Sequence, residues 1–117
     1  MSARILVLED EPLVAIEMMR DLKSAGFEVI GPALTVAKAL ALIESEGCDA
    51  AVLDIRLGSE TSEPVALQLQ AEGIPFVSVT GYGRDQQPAV FQSAPILSKP
   101  VQMREVIQLL RRYVSAK

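Results

Sequence analysis

Four polar clusters interrupt the apolar runs of this chain, and their residue types belong to one chemistry. Glu9, Asp10 and Glu11 follow Ile5 to Leu8. Asp54 follows Ala50 to Leu53, Thr80 and Gly81 follow Phe76 to Val79, and Ser98, Lys99 and Pro100 follow Ile96 and Leu97. Taken singly these are ordinary: an acid after a strand caps a helix or sits in a solvated loop, Thr-Gly makes a turn, and Lys-Pro ends a strand. Brought to one edge, the acids would repel one another unless a cation lay among them. A hard cation with oxygen ligands, Mg²⁺ above all, relieves that repulsion. Carboxylates, Mg²⁺, a lysine and a hydroxyl together handle phosphoryl groups. Metal and ammonium neutralise phosphate oxygens, and an aspartate can attack phosphorus.

The elements between these clusters decide whether they meet. The runs at Ile5–Leu8, Val29-Ile30, Ala50–Leu53 and Ile96-Leu97 are apolar at consecutive positions, and Phe76–Val79 is apolar but for Ser78. That pattern suits strands covered on both faces, as in a parallel sheet. Helical spacing separates them. Over 12–25 the stripe is Val14, Ala15, Met18, Met19 and Leu22, with Pro12 in the first turn and Gly26 at the end. Over 35–46 it is Val36, Leu40 and Ile43, with Thr35 as N-cap. Over 63–72 Pro64, Val65, Ala66 and Leu69 open a helix that stops before Gly73. Over 101–114 Met103, Val106, Ile107, Leu110 and Val114 share a face that excludes Arg104, Arg111 and Arg112.

The strand–helix alternation predicts an α/β fold, a doubly wound five-stranded parallel sheet. Such sheets bind ligands beyond the carboxyl ends of their strands, which is where all four clusters fall. Topology asks for a fourth helix in 81–95. Pro88 divides that segment and Pro95 closes it, so the helix is expected to be short or labile. Gly81 and Gly83 loosen its entrance, and only Ala89, Val90 and Phe91 could anchor it.

Length and composition set the frame. The 117 residues suit one domain, 1–117, without repeats or linkers. Net charge is −4 with no basic block, which argues against direct nucleic-acid binding. There is no histidine, so chemistry needing an imidazole from this chain is excluded. Cys48 is the single cysteine, which rules out an internal disulfide and a cysteine zinc site and suits a small buried filler. No apolar stretch reaches the roughly 20 residues of a membrane span, and the N-terminus has no signal-peptide core. A reduced, cytoplasmic location and no membrane partner are expected.

On these residues the sequence resembles the receiver domain of two-component response regulators. The likeness runs from Arg4-Ile-Leu-Val-Leu-Glu-Asp-Glu to the last helix. It implies the flavodoxin-like receiver fold, strand order 2-1-3-4-5. Within Ala51-Val-Leu-Asp-Ile-Arg-Leu, it implies Asp54 as phosphoacceptor. Glu9, Asp10 and Asp54, with the Arg56 backbone carbonyl, would hold Mg²⁺. Thr80 would be the switch hydroxyl, and Lys99 the lysine that pairs with the phosphoryl group, followed by a cis Lys99–Pro100 bond. A sensor histidine kinase would be the donor. The chain would be a phosphoacceptor that assists its own phosphorylation and dephosphorylation, not a dedicated enzyme. Output would come from docking a downstream protein or from acting as a phosphorelay sink.

One position departs from the family. Ile96 stands three residues before Lys99, where receivers usually carry Tyr or Phe. The stretch Pro75-Phe-Val-Ser-Val-Thr-Gly-Tyr-Gly, with Pro64-Val-Ala, resembles the FAT GUY subgroup. That subgroup lacks the aromatic, has a labile fourth helix and partners HWE or HisKA2 kinases. Tyr82 is either a substitute moving aromatic or an exposed loop residue. The competing readings are a degenerate receiver acting as an unphosphorylated scaffold, an aspartyl phosphatase of the haloacid dehalogenase type, and a flavin binder. The phosphatase would need Asp-x-Asp after the first strand. In the flavin binder, Glu9-Asp10-Glu11 would repel the phosphate.

Overall fold

A computed structural model describes residues 2–81, 83 and 86–115. In chain order the elements are β1 Arg4–Leu8, α1 Pro12–Ser24, β2 Glu28–Ala33, α2 Val36–Ser45, β3 Ala50–Asp54, β4 Arg56–Leu57, β5 Glu60–Thr61, α3 Glu63–Ala71, β6 Phe76–Thr80, α4 Ala89–Gln92, β7 Ile96–Ser98 and α5 Met103–Ser115. Five strands form one parallel sheet, ordered β2-β1-β3-β6-β7. This is the expected doubly wound sheet, with β6 and β7 as its fourth and fifth strands. The antiparallel β4–β5 pair is a separate hairpin that the hydrophobic pattern does not announce.

The central strands β1, β3 and β6 read as nearly unbroken apolar runs because both of their faces are covered. Leu6, Leu8, Ala51, Leu53 and Phe76 face a core shared with α2, α3 and α4. Ile5, Val7, Val52, Val77 and Val79 face a second core with Met18 and Leu22 of α1 and Val106 and Leu110 of α5. Cys48 packs at the margin of the first core, and burial pushes its thiol up to about 11, so it stays protonated.

Most helix limits follow local chemistry. Thr35 caps α2 as expected, its hydroxyl oxygen accepting the Lys38 N–H at 3.1 Å. The buried stripe of α2 differs from the expected Val36, Leu40 and Ile43. It is Ala39, Leu42 and Ile43, spaced i, i+3, i+4, with Val36 and Leu40 at the margin. Ala39 has the smallest side chain of these and is fully buried. α5 starts at Met103 rather than 101, after the cis Lys99–Pro100 bond.

The fourth helix is short, as expected, but better anchored than three apolar contacts suggest. Pro88 is its N-cap in extended backbone, φ −55° and ψ 154°, so the ring precedes the first turn and costs the helix nothing. Phe91 is fully buried, and its ring stands edge-on to Phe76 with centroids 6.4 Å apart. Tyr82, Arg84 and Asp85 lie outside the described residues. No helix among the described residues is long and apolar enough to cross a membrane.

One irregularity links the edge strand to the polar edge. The β1–β2 register slips between Leu6↔Ile30 and Leu8↔Ala33. Gly31 sits in the slip at φ +98°, followed by a cis bond to Pro32. A Cβ at 31 would lie 2.6 Å from the Ala33 nitrogen, so only glycine fits. The slip brings the Ala33 carbonyl to the Glu9 N–H at 3.0 Å. Gly31→Ala is therefore expected to destabilise the fold by more than about 1 kcal/mol. In urea the midpoint should drop with the slope unchanged.

Candidate functional site

The carboxyl ends of β1, β3, β6 and β7 deliver the sequence's polar clusters to one edge. β3 runs between β1 and β6, and its last residue, Asp54, pairs in register with Val79. The next residue, Ile55, is fully buried and donates its N–H to the Val79 carbonyl at 3.0 Å, which holds Asp54 from the C-terminal side. Asp54 is consequently almost inaccessible, and Glu9 is wholly so. Asp10 is half-buried, while Glu11 faces solvent at the start of α1.

One carboxylate oxygen from each of Glu9, Asp10 and Asp54 lies within 4.8 Å of the others. Three negative charges at that spacing in a poorly hydrated cleft are strongly unfavourable. Lys99 answers part of that repulsion. Its Nζ lies 2.9 Å from Asp54 Oδ2 and 3.8 Å from Glu9 Oε1. Its backbone N–H extends the β6–β7 ladder by donating to the Thr80 carbonyl at 2.9 Å, which aims the side chain back over Asp54. Burial alone would lower the Lys99 pKa. The hydrogen bond to Asp54 and the charges of Asp54, Glu9 and Asp10 outweigh it, so the pKa is raised and the ammonium persists.

Glu9 answers the rest. Burial first, then the Asp54 charge and Asp10, push its pKa up to about 7, against the Glu11 N–H and Lys99. Its Oε2 accepts the Glu11 N–H at 3.0 Å. Its Oε1 is buried without a hydrogen-bond partner among the described residues. An orphaned oxygen beside two further carboxylates is an all-oxygen donor set of the kind a hard divalent cation takes, and the cluster fits such a metal.

The remaining expected residues line the same edge. Thr80 ends β6, one residue beyond Val79, and is buried. Arg56 opens β4 two residues after Asp54 with its side chain exposed. Gly58 and Ser59 turn the β4–β5 hairpin, Gly58 at φ +65° in the first central position, as a type II′ turn requires. The glycine-first turn dipeptide Gly58-Ser59 was the available signal for this hairpin. Leu57 is buried in the first core, and Glu60 Oε1 accepts the Val36 N–H of α2 at 3.4 Å. The loop after Asp54 is thereby tied to α2, a role for Glu60 that nothing in its sequence context suggests.

Comparison with known proteins agrees with this geometry. No family model matches the chain. The phyllosphere-induced regulator PhyR of Methylorubrum extorquens is 30% identical over 115 residues, covering 91% of this chain, which spans 41% of the length of PhyR. The solution structure of SdrG from Sphingomonas melonis Fr1 is 41% identical over 97% of both chains, with a TM-score of 0.80. A CheY-like response regulator receiver from Methanospirillum hungatei JF-1 superposes with a TM-score of 0.87 at 25% identity, over 99% of this chain and 96% of that one. The chain belongs to the response regulator receiver family.

The Glu9 shift has a thermodynamic signature. Its ordinary value is 4.5 and its folded value about 7, so the native state holds the proton more tightly than the unfolded chain does. This contribution is fully present below pH 4.5 and lost as pH rises through 7. With divalent cations chelated, the melting temperature should decline across that interval. Glu9→Gln should flatten the decline, as thermal melts across a pH series would show.

Proposed function

We propose that the chain is a receiver that accepts a phosphoryl group from a sensor histidine kinase onto Asp54. The observation that carries this reading is the 2.9 Å contact of Lys99 with Asp54 inside a three-carboxylate cluster. In the proposed transfer an Asp54 carboxylate oxygen attacks phosphorus of the kinase phosphohistidine and forms the P–O bond of an acyl phosphate. The P–N bond breaks, and its electron pair leaves on the imidazole of the kinase. β3 places Asp54 at the sheet edge beside the other carboxylates, and Lys99 stands where it can trade the carboxylate for a phosphoryl oxygen. Thr80, at the neighbouring strand end, supplies the hydroxyl that would bond the transferred group.

Glu9, Asp10, Asp54 and the Arg56 backbone carbonyl are the residues that would hold Mg²⁺. Bound there, Mg²⁺ neutralises developing negative charge on the phosphoryl oxygens. The chain acts on itself rather than on a separate substrate, so it is a phosphoacceptor that assists its own phosphorylation and dephosphorylation and not a dedicated enzyme. SdrG has been captured in a BeF₃-activated conformation, and its 44% identity there supports the same kind of activation for this chain.

The finer assignment is to the FAT GUY subgroup, with an HWE or HisKA2 kinase as donor and a cytoplasmic location. The sequence around Pro75–Gly83, Ile96 in place of an aromatic, and a fourth helix of a single turn support it. Output would pass through docking of another protein or through a phosphorelay in which the chain is the sink. The kinase has a natural approach along α1, where Leu13 is 76% exposed and Ile16 38% exposed, one turn apart and just beyond the acidic cluster.

Intact-mass analysis after incubation with a small phosphodonor and Mg²⁺ tests the reading. Wild type should gain the mass of one phosphoryl group, and Asp54→Asn should gain none. Equal labelling of the Asn variant would refute the assignment of Asp54. No labelling of wild type would favour an unphosphorylated scaffold. Leu13→Asp should slow transfer from the phosphorylated kinase, relative to transfer from the small donor, by about tenfold or more.

A further inference from the structure

Strand β6 carries a polar side chain where packing alone would place an apolar one. Ser78 is fully buried in mid-strand, and its hydroxyl has no hydrogen-bond partner among the described residues. Its in-register neighbours are Leu53 on β3 and Ile96 on β7. Paired residues of a parallel sheet share a face, and so do positions i and i+2 along a strand. Ser78 therefore faces the first core with Leu53, Ile96 and Phe76, the face over which α4 lays Phe91.

Helix α4 is a small element that rests on that face chiefly through Phe91. It has four residues, lies between Pro88 and Pro95, and buries only Val90 and Phe91. A hydroxyl denied water and given no substitute carries a desolvation penalty for as long as it stays covered. Lifting α4 would return water to Ser78 and remove the penalty. The unpartnered hydroxyl thus weakens the closed arrangement against the one in which α4 is raised, as it does against the unfolded chain.

We infer that Ser78 is a built-in loosening of α4, an unsatisfied hydroxyl that sets how often the short helix leaves the sheet. The position fits such a device: Ser78 lies two residues before Thr80 on the same strand face, so the strand that ends at the candidate site also sets the hold on α4. The inference concerns the resting protein and does not depend on the role proposed for Asp54.

Amide hydrogen exchange on the unphosphorylated full chain tests it. The Phe91 and Ala94 amides bond to the Pro88 and Phe91 carbonyls at 3.0 and 3.3 Å and report the α4 turn. Amides of β3 and β6 report global opening. In Ser78→Ala, exchange at Phe91 and Ala94 should slow by about fivefold or more. Strand amides that exchange through global unfolding should slow by a similar factor because Ser78 is hydrated there too, and the Ala25 amide at the end of α1, bonded to the Asp21 carbonyl, should not change. Ser78→Cys, whose thiol is a weak hydrogen-bonding group, should slow the same two amides. Unchanged or faster exchange at Phe91 and Ala94 in both variants would overturn the inference. So would slowing confined to the strand amides, since the hydroxyl would then bear on global unfolding alone.

Discussion

Three carboxylates within 4.8 Å of one another are the constraint around which this molecule is organised. Like charges at that distance do not stay together unaided, so every neighbouring feature can be read as a means of holding them. The parallel sheet supplies the place, since only such a sheet collects the carboxyl ends of several strands on one edge. The slip at Gly31 supplies the Ala33 carbonyl that fixes Glu9 by its backbone. Burial lets Glu9 retain its proton toward neutral pH, and Lys99 contributes a positive charge 2.9 Å from Asp54. What the protein side chains leave unmet is an orphaned Glu9 oxygen, the kind of group a divalent cation satisfies.

Much of this is legible in the residues because a doubly covered strand writes itself as a nearly unbroken apolar run. Ile5–Leu8, Ala50–Leu53 and Phe76–Val79 are buried throughout, and the polar residue that ends each run marks the edge. Thr35 and Pro12 are equally readable, since capping and first-turn chemistry are local. The face of α2 is less so, because Ala39 lies innermost only where the helix must approach closely, a tertiary demand that periodicity does not express. The β4–β5 hairpin is two residues a side, too short for alternation to signal. The burial of Glu9 and the isolation of Ser78 depend on what covers them, which no stretch of sequence around either residue records.

The fourth helix shows how one residue type can mislead. A proline in 81–95 implies a broken helix if it falls inside and a well-started one if it falls at the boundary. Pro88 falls at the boundary, so the helix is short because Pro95 and β7 follow closely, and the ring itself does not disrupt it. Phe91 then does what the length of the helix cannot, by wedging edge-on against Phe76.

The hairpin after Asp54 has a mechanical consequence. Leu57 is sunk in the core and Glu60 grips the first turn of α2, so the wall of the cleft on the β3–α3 side is braced at both ends. On the opposite side, beyond Thr80, the cleft is bordered by α4, a single helical turn between Pro88 and Pro95. A cleft with one braced side and one compliant side yields in a single direction when its contents swell. Added bulk and charge on Asp54 would be taken up across β6 toward α4, while α2 and α3 serve as the fixed frame against which that movement is made.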